Sequence, residues 1–179
     1  MVPEAPLERD EAGGLHPTGD GWFVLNVGDA RWFESDGLGR YASFESESVR
    51  FPQVGVGVGI LRPGEPNCMY HAEDAQEDFL VLAGECLLIV EGQERLLRRW
   101  DFVHCPPWTE HVFVGVGDGP CVVVAVGVRR KGRGLRFPVD ETALRHGAGV
   151  EVETSDPGEA YARFPDDRPI ACPDDFPRG

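Results

Sequence analysis

The chain has 179 residues, a length that fits one domain able to bury a real core. Its 31 acidic and 17 basic residues give a formal net charge of -14 at pH 7, which argues against nucleic acids and anionic membranes as partners because both are polyanions. The five cysteines form no C-x-x-C pair, no secretory segment opens the chain and no apolar run approaches the roughly 20 residues of a membrane span, so we predict a cytoplasmic protein with reduced thiols.

The N-terminal part of the chain begins without a clear pattern. Residues 1–20 are rich in proline, glycine and acidic residues and show no periodicity, so we predict a flexible arm. The apolar run at 21–27 predicts a strand, 29–39 is rich in turn residues, and 41–50 predicts a second short strand region. A strand-rich domain is therefore expected to begin at residue 21.

Residues 54–61 alternate between valine and glycine before ending in Ile-Leu. Successive side chains of a strand point to opposite faces, so the valines should lie on one face and the glycines on the other. Glycine inside a strand often marks a place where another backbone approaches closely. We predict a wall strand whose glycine face is under close backbone contact.

Six further strand-like runs follow at short intervals, separated by turn residues. They cover residues 79–82, 86–90, 95–97, 102–105, 111–116 and 121–128. Many short strands at this spacing predict a β-sandwich or a barrel. Residues 129–179 form a tail with short helices predicted at 140–146 and 155–164, the second capped by Ser155, and we expect this tail to lie on the barrel or on a second subunit. The basic stretch 129–136 is interpreted as a solvated exit from the last strand.

Two stretches of the chain combine histidines with carboxylates. His71, Glu73 and Glu77 are all odd-numbered, so in an extended segment their side chains can converge on one face. His111 opens a strand shortly after a Pro-Pro turn. Imidazole and carboxylate together suit a first-row divalent metal, although by itself a His-x-Glu pair is more often a solvated surface feature.

These two stretches resemble the paired motifs of the cupin superfamily, and the resemblance covers residues 51–128. The resemblance implies an all-β fold, the cupin double-stranded β-helix or jelly-roll barrel, over residues 21–128. The arm at 1–20 would then be an N-terminal extension, and 129–179 a short-helical C-terminal tail. The first motif matches at Gly64, His71, Glu73, Glu77 and Gly84, and the second at Asp101, Pro106 and His111.

The resemblance also implies one divalent metal ion, Zn, Mn, Fe or Ni, held by His71, His111 and one or both of Glu73 and Glu77. Glu73 stands where the family usually has a second histidine, so its role as a ligand is open. A carboxylate beside the metal that does not bind it could transfer protons, which makes Glu73 and Glu77 candidate catalytic residues. His104 has the opposite parity to its strand neighbours and is expected to face away from the metal.

The same alternation predicts an apolar pocket around the metal for a small-molecule ligand. Trp100 and Trp108 occupy positions where the second family motif usually has glycine. Trp108 follows the turn beside the expected mouth, where it could cover a substrate or simply pack against the barrel. The predicted pocket residues are Met69, Phe79, Val81, Val103, Cys105 and Phe113.

Two functions fit these observations. The first is a metal-dependent enzyme acting on a small organic molecule. The pattern Tyr-His-x-Glu-x-x-Gln-Glu resembles that of small cupins described as sugar-phosphate isomerases, but the apolar pocket argues against a phosphosugar as substrate. Two histidines with a carboxylate are instead a ligand set that suits an oxygenase. The second is a non-catalytic binding module whose metal is structural or absent. Cupins often pair through sheet edges, so the resemblance also implies a homodimer.

Overall fold

The chain folds almost entirely into β strands, and the computed structural model describes residues 1–129, 132 and 134–177. Within these residues it contains fourteen strands, a 3-10 helix at Val27–Asp29 and two short helices, α1 (Glu141–Arg145) and α2 (Pro157–Ala160). The strands are β1 (Leu7–Arg9), β2 (Leu15–Pro17), β3 (Arg31–Glu34), β4 (Arg40–Ser43), β5 (Val54–Leu61), β6 (Ala72–Glu73), β7 (Glu77–Ala83), β8 (Glu85–Val90), β9 (Gln93–Arg98), β10 (Phe102–Cys105), β11 (His111–Val116), β12 (Cys121–Val128), β13 (Leu135–Arg136) and β14 (Arg168–Ile170).

Two antiparallel sheets enclose the main core. The larger sheet has seven strands in the order β10-β7-β12-β5-β4-β3-β14, and the smaller has three in the order β11-β8-β9. Two short pairs, β1 with β2 and β6 with β13, lie outside them. The all-β fold class predicted from the sequence is confirmed. Side chains of both main sheets meet in one buried apolar cluster, formed by Leu61, Phe79, Val81, Cys86, Leu88, Cys105, Phe113, Cys121 and Val123.

The other face of the seven-stranded sheet is covered by segments from the two ends of the chain. Trp32 is fully buried there, and its indole N–H donates to the carbonyl of Val27 at 3.0 Å. Phe176 from the C-terminal tail lies against the Trp32 ring, with the ring centroids 5.1 Å apart. Val58 and Ile60 of β5 join this second cluster. Strand parity therefore decides which residues of β5 face the barrel interior and which face this outer layer.

The N-terminal segment differs from the sequence-based expectation. Residues 1–20, predicted as a flexible arm, carry the hairpin of β1 and β2. Residues 21–27, predicted as a strand, lead instead into the 3-10 helix, where the Asn26 side chain accepts a hydrogen bond from the Gly28 N–H at 2.8 Å. Strand β3 lies in the stretch predicted to be turn-rich, and its Phe33 ring stacks on Tyr41. Strands of three or four residues are too short for a two-residue period to stand out.

The C-terminal tail lies on the barrel of its own chain. Helix α1 begins after Asp140, whose carboxylate accepts a hydrogen bond from the Ala143 N–H at 2.7 Å. Helix α2 begins after Asp156 with Pro157 at its start, so the cap is Asp156 and not the predicted Ser155. Both helices lie within the ranges predicted from the sequence and are shorter than predicted. Within the described residues, the helices are too short and too polar to span a membrane.

The basic stretch 129–136 is described only in part, because residues 130, 131 and 133 lie outside the described residues. At its two ends the arginines are paired with carboxylates: Arg129 with Glu45, and Arg136 with Glu110. Glu45 is buried, with 4% of its surface exposed. Both ends of this stretch therefore form ion pairs with loop residues of the barrel, in addition to being partly exposed to solvent.

Candidate metal centre

Three of the predicted ligands come together at one end of the barrel. One donor atom each from His71, Glu77 and His111 lies within 4.8 Å of the other two. The Glu77 Oε2 atom is 3.4 Å from Nε2 of His111 and 3.7 Å from Nε2 of His71. Two donors bound at about 2.1 Å to a tetrahedral ion are roughly 3.4 Å apart. The spacing therefore suits a single ion after small side-chain adjustments.

The fold brings these residues together through backbone pairing. His71 and His111 are opposite each other in an antiparallel bridge, with reciprocal N–H to carbonyl hydrogen bonds of 3.2 and 2.9 Å. Directly opposed residues of such a pair project to the same side, and the two imidazole centroids are 5.0 Å apart. Glu77 begins β7 and is paired with Cys105 of β10 and with Gly127 of β12. Its side chain thus enters the barrel interior from the opposite sheet.

Both histidine rings are held in the orientation that a metal ligand needs. Nδ1 of His71 donates to the Met69 carbonyl at 2.9 Å, and Nδ1 of His111 donates to the Thr109 carbonyl at 3.0 Å. When Nδ1 carries the proton, the lone pair is on Nε2, the atom that faces Glu77 in both rings. Backbone acceptors thus select the tautomer that can bind a metal through Nε2.

The environment of His111 points to the same role. Only 2% of this residue is exposed, and burial lowers the pKa of its imidazole, although the hydrogen bond to Thr109 acts in the opposite direction. A neutral ring is therefore favoured near pH 7. In the part of the chain that the structure describes, the buried Nε2 atom makes no hydrogen bond. A buried nitrogen without a hydrogen bond destabilises the folded protein, and coordination of an ion by Nε2 would remove this destabilisation.

The tail supports His71 in a way that the sequence did not indicate. The Met69 N–H donates to the hydroxyl of Tyr161 at 3.1 Å, while the carbonyl of Met69 accepts from His71. The ring of Phe137 lies 6.0 Å from that of His71. Burial raises the pKa of Tyr161, so it remains a neutral hydroxyl. The site is thus supported by residues far outside the two motifs.

Glu73 lies apart from the three-residue cluster. It is in β6, paired with Leu135 of β13, and only 3% of its surface is exposed. Among the described residues, the group whose donor atoms lie within 4.8 Å does not include its carboxylate. Bends at residues 74 and 75 separate β6 from β7, so the odd numbering of Glu73 and Glu77 does not place them on one strand face. A ligand or proton-transfer role for Glu73 stays a prediction.

The predicted pocket residues divide into two groups. Phe79, Val81, Val103, Cys105 and Phe113 lie in or against the apolar cluster inside the barrel. The Phe79 ring is 5.2 Å from the His111 ring and 4.5 Å from that of Phe113.

The structure places Met69 outside this group, in a cluster with Phe137, Val150 and Ala160 beneath the tail. The reason is that Met69 lies between β5 and β6, in a segment that is not a strand, so alternation does not apply to it. Its contribution to the site is its carbonyl, which accepts from His71.

The remaining singled-out residues face away from the cluster or flank it. His104 points outward and is 51% exposed, and its Nδ1 lies 2.6 Å from Asp78, as expected from strand parity. Trp108 is half exposed, and its ring lies against Gly134 of the tail. Cys68, which the sequence analysis did not single out, has its Sγ 3.7 Å from Nδ1 of His71. Burial, together with the charges of Glu77 and Glu73, raises the pKa of the Cys68 thiol.

Comparison with known proteins agrees with the fold. The family model for the cupin domain matches residues 57–127. A cupin-superfamily sugar phosphate isomerase from Silicibacter pomeroyi is 22% identical with a TM-score of 0.52, over 69% of this chain and 79% of that one. A candidate sugar phosphate isomerase from Acidithiobacillus ferrooxidans is 23% identical with a TM-score of 0.47, over 62% of this chain and 66% of that one. No curated protein sequence matches this chain.

Proposed function

Because residues 57–127 form a cupin domain, we propose that this chain binds one divalent metal ion through His71, Glu77 and His111 and acts with it on a small organic molecule. The observation that carries the proposal is the orientation of the two rings, whose Nε2 atoms face the Glu77 carboxylate while their Nδ1 atoms are held by backbone carbonyls. Two imidazoles and one carboxylate are a ligand set for Fe(II), and Zn, Mn and Ni accept the same atoms.

Three protein ligands leave room for a molecule from solution at the same ion. A metal held in this way supplies a Lewis acid that polarises an oxygen of the bound molecule. The chain itself would supply the apolar wall of Phe79 and Phe113 beside His111. Glu73, buried but outside the three-residue cluster, is the candidate for holding or moving a proton.

The residues around His71, Glu77 and His111 bear on which substrate the site would accept. Isomerase-like and oxygenase-like chemistry both need the organic substrate to be held close to the metal. The likeness to the sugar phosphate isomerase structures is at 22% and 23% identity and concerns the fold alone. The apolar interior of this barrel favours a substrate that is less polar than a sugar phosphate.

A second candidate function is a non-catalytic module with a structural metal. Glu73 is only 3% exposed and lies in β6, the strand that follows His71. A structural metal would be favoured if the Glu73 carboxylate were the fourth protein ligand of a closed Zn site. X-ray absorption by the zinc-loaded protein separates the two functions. Three protein donors and a water support the open site, whereas four protein donors support the closed one.

Metal titration tests the proposal directly. We expect isothermal titration with Zn²⁺ to give about one ion per chain, as the ligand set requires. Glu77→Gln and His111→Ala should each weaken binding by about 100-fold or more, beyond the roughly 10- to 100-fold that changes outside the ligand shell cost. His104→Ala is the matched control, since it removes a histidine on the outer face, and it should bind Zn²⁺ like the wild type. A wild-type chain that takes up no metal would disprove the proposal.

A further inference from the structure

A small chamber lies inside the barrel beside the candidate metal centre. Its volume is about 150 Å³, and its walls include the rings of Phe79 and Phe113 and the side chains of Val123 and Ala125. Phe79 connects the two features, because its ring borders the chamber and lies 5.2 Å from the ring of His111. The chamber is therefore adjacent to the position where a metal-bound molecule would be.

The chamber is open because Gly57 and Gly59 of β5, which have no side chains, line it from the barrel wall. On the other face of β5, Val58 and Ile60 are buried in the outer cluster with Trp32. Across the sheet, Gly57 is paired with Ala125 and Ala125 with Phe79, while the next row joins Gly55, Gly127 and Glu77. Two residues along a strand cover roughly 6.6 Å, which is the distance that a ligand would span from the chamber row to the row of Glu77.

The backbone does not require these glycines. Neither Gly57 nor Gly59 has a positive φ. A Cβ at Gly57 would meet only the Ala42 carbonyl at 3.8 Å, and one at Gly59 only carbonyl oxygens at 3.9 Å, which are ordinary contacts. The close backbone approach predicted from the sequence is therefore absent at these two positions. Glycine inside a strand is destabilising relative to alanine, so what Gly57 and Gly59 provide is empty volume.

Most polar side-chain atoms at the chamber wall are engaged within the protein. The Asn67 side-chain oxygen accepts from the Phe113 N–H at 2.9 Å, and the Tyr41 hydroxyl donates to Asp167 at 2.7 Å. Arg40 makes two hydrogen bonds to Asp175 through its terminal nitrogens, whereas its buried Nε makes none to the described residues. A sugar in the chamber would find this one donor and leave most of its hydroxyls poorly satisfied. An apolar cavity of this volume holds a benzene ring.

We propose, on the basis of the proposed function, that the ligand of the metal centre places one six-membered apolar ring in this chamber and an oxygen donor toward His71, Glu77 and His111. Gly57 and Gly59 determine this specificity by keeping the chamber open. The substrate class is thus small cyclic alcohols, phenols or ring-bearing acids, and not phosphosugars.

Benzyl alcohol and ribose 5-phosphate are suitable probes, measured by calorimetry and saturation-transfer NMR on the zinc-loaded full chain. We expect benzyl alcohol to bind the wild type and ribose 5-phosphate not to bind. Gly57→Val and Gly59→Val should weaken benzyl alcohol binding at least tenfold while leaving the melting temperature unchanged or higher, because valine favours strands. Gly119→Val is the control, since a Cβ there meets nothing within 4 Å.

The outcomes separate this inference from the metal proposal, because Zn²⁺ uptake is titrated in the same samples. Zinc uptake without benzyl alcohol binding, or tight binding retained in Gly57→Val, overturns the inference alone. A wild type that binds neither probe nor Zn²⁺ overturns both the chamber inference and the metal-binding proposal. Binding of benzyl alcohol by a wild type that takes up no Zn²⁺ supports the chamber as a ligand site and overturns the metal-binding proposal. If Gly57→Val fails to fold, Gly57→Ala adds one methyl group at an ordinary contact distance and should still weaken binding.

Discussion

Trp100 and Trp108 hold their backbones in the left-handed region, with φ angles of 76° and 71°. This region favours glycine, since the Cβ of any other residue is crowded there, at a cost of roughly 1–2 kcal/mol. Both positions are those where the second cupin motif usually has glycine. Large, half-exposed rings thus stand on a backbone conformation that suits glycine.

A pair of substitutions at Trp100 measures this backbone cost. Trp100→Gly and Trp100→Ala both remove the exposed ring, but only alanine keeps a Cβ in the left-handed region. We expect the glycine variant to be more stable than the alanine variant by about 1 kcal/mol in urea unfolding. Equal stabilities, or a more stable alanine variant, would mean that the turn relaxes to a negative φ at this position.

At the scale of elements, the segment between β5 and β6 depends on the C-terminal tail. This segment carries Met69, whose N–H donates to Tyr161 and whose carbonyl accepts from His71. The histidine orientation is therefore set by two hydrogen bonds that meet on one residue. Such support outside the ligand shell typically changes metal affinity by roughly 10- to 100-fold.

Removing the Tyr161 hydroxyl tests this dependence. Tyr161→Phe should weaken Zn²⁺ binding about tenfold, because the Met69 N–H loses its acceptor and the carbonyl that holds His71 becomes less fixed. Tyr70→Phe is the control, since its hydroxyl accepts from the Gly92 N–H at 3.1 Å and donates to Glu110 at 3.2 Å, whereas the Met69 N–H donates to Tyr161. Both variants should lose about 1 kcal/mol of stability in urea unfolding, but only the first should change the zinc affinity.

At the scale of the whole molecule, an ionic contact joins the tail to the barrel. Arg40 is 5% exposed and makes hydrogen bonds of 2.8 and 3.1 Å to Asp175, which also accepts from Arg62 at 2.9 Å. Burial alone would raise the pKa of Asp175, but the hydrogen bonds from Arg40 and Arg62 lower it below its usual range. The contact therefore contributes stability while Asp175 is ionised.

The stability from this contact should depend on pH. Because the folded-state pKa of Asp175 lies below the unfolded value of about 3.9, the contribution is complete above that pH and is lost as pH falls through the folded pKa. We expect Asp175→Asn to lower the free energy of unfolding by about 2 kcal/mol at pH 7, and the difference to shrink below pH of about 4. Urea unfolding at several pH values measures it, with the exposed neighbour Asp174→Asn as control. A difference that stays constant down to the lowest pH would contradict this assignment.

The predicted homodimer and the cytoplasmic location stay predictions. Strand β10 ends the seven-stranded sheet, and its Phe102 is 64% exposed. Exposed apolar edge strands are places where sheets can pair, so sedimentation velocity on the full chain is the measurement that decides the oligomeric state.

The all-β fold follows from local properties of the sequence, namely the two-residue alternation of strands and the turn residues between them. The candidate ligands His71, Glu73, Glu77 and His111 follow from the resemblance of two stretches to the cupin motifs, and His71, Glu77 and His111 converge in the structure. The alternation also placed Phe79 and Phe113 inside the barrel and His104 outside it. Short strands such as β3 escaped prediction, because three or four residues carry too little periodicity.

Only the tertiary structure decided the rest. The bends after β6 separate Glu73 from Glu77, and the path of the segment before it moves Met69 out of the pocket. The contact between Tyr161 and Met69 joins residues far apart in the chain, so no local pattern could indicate it. The direction of the glycine face of β5, which opens the chamber, depends on which side of that strand the outer cluster covers. The alternation of a strand determines which residues share a face, but only long-range contacts determine which of the two faces points into the barrel.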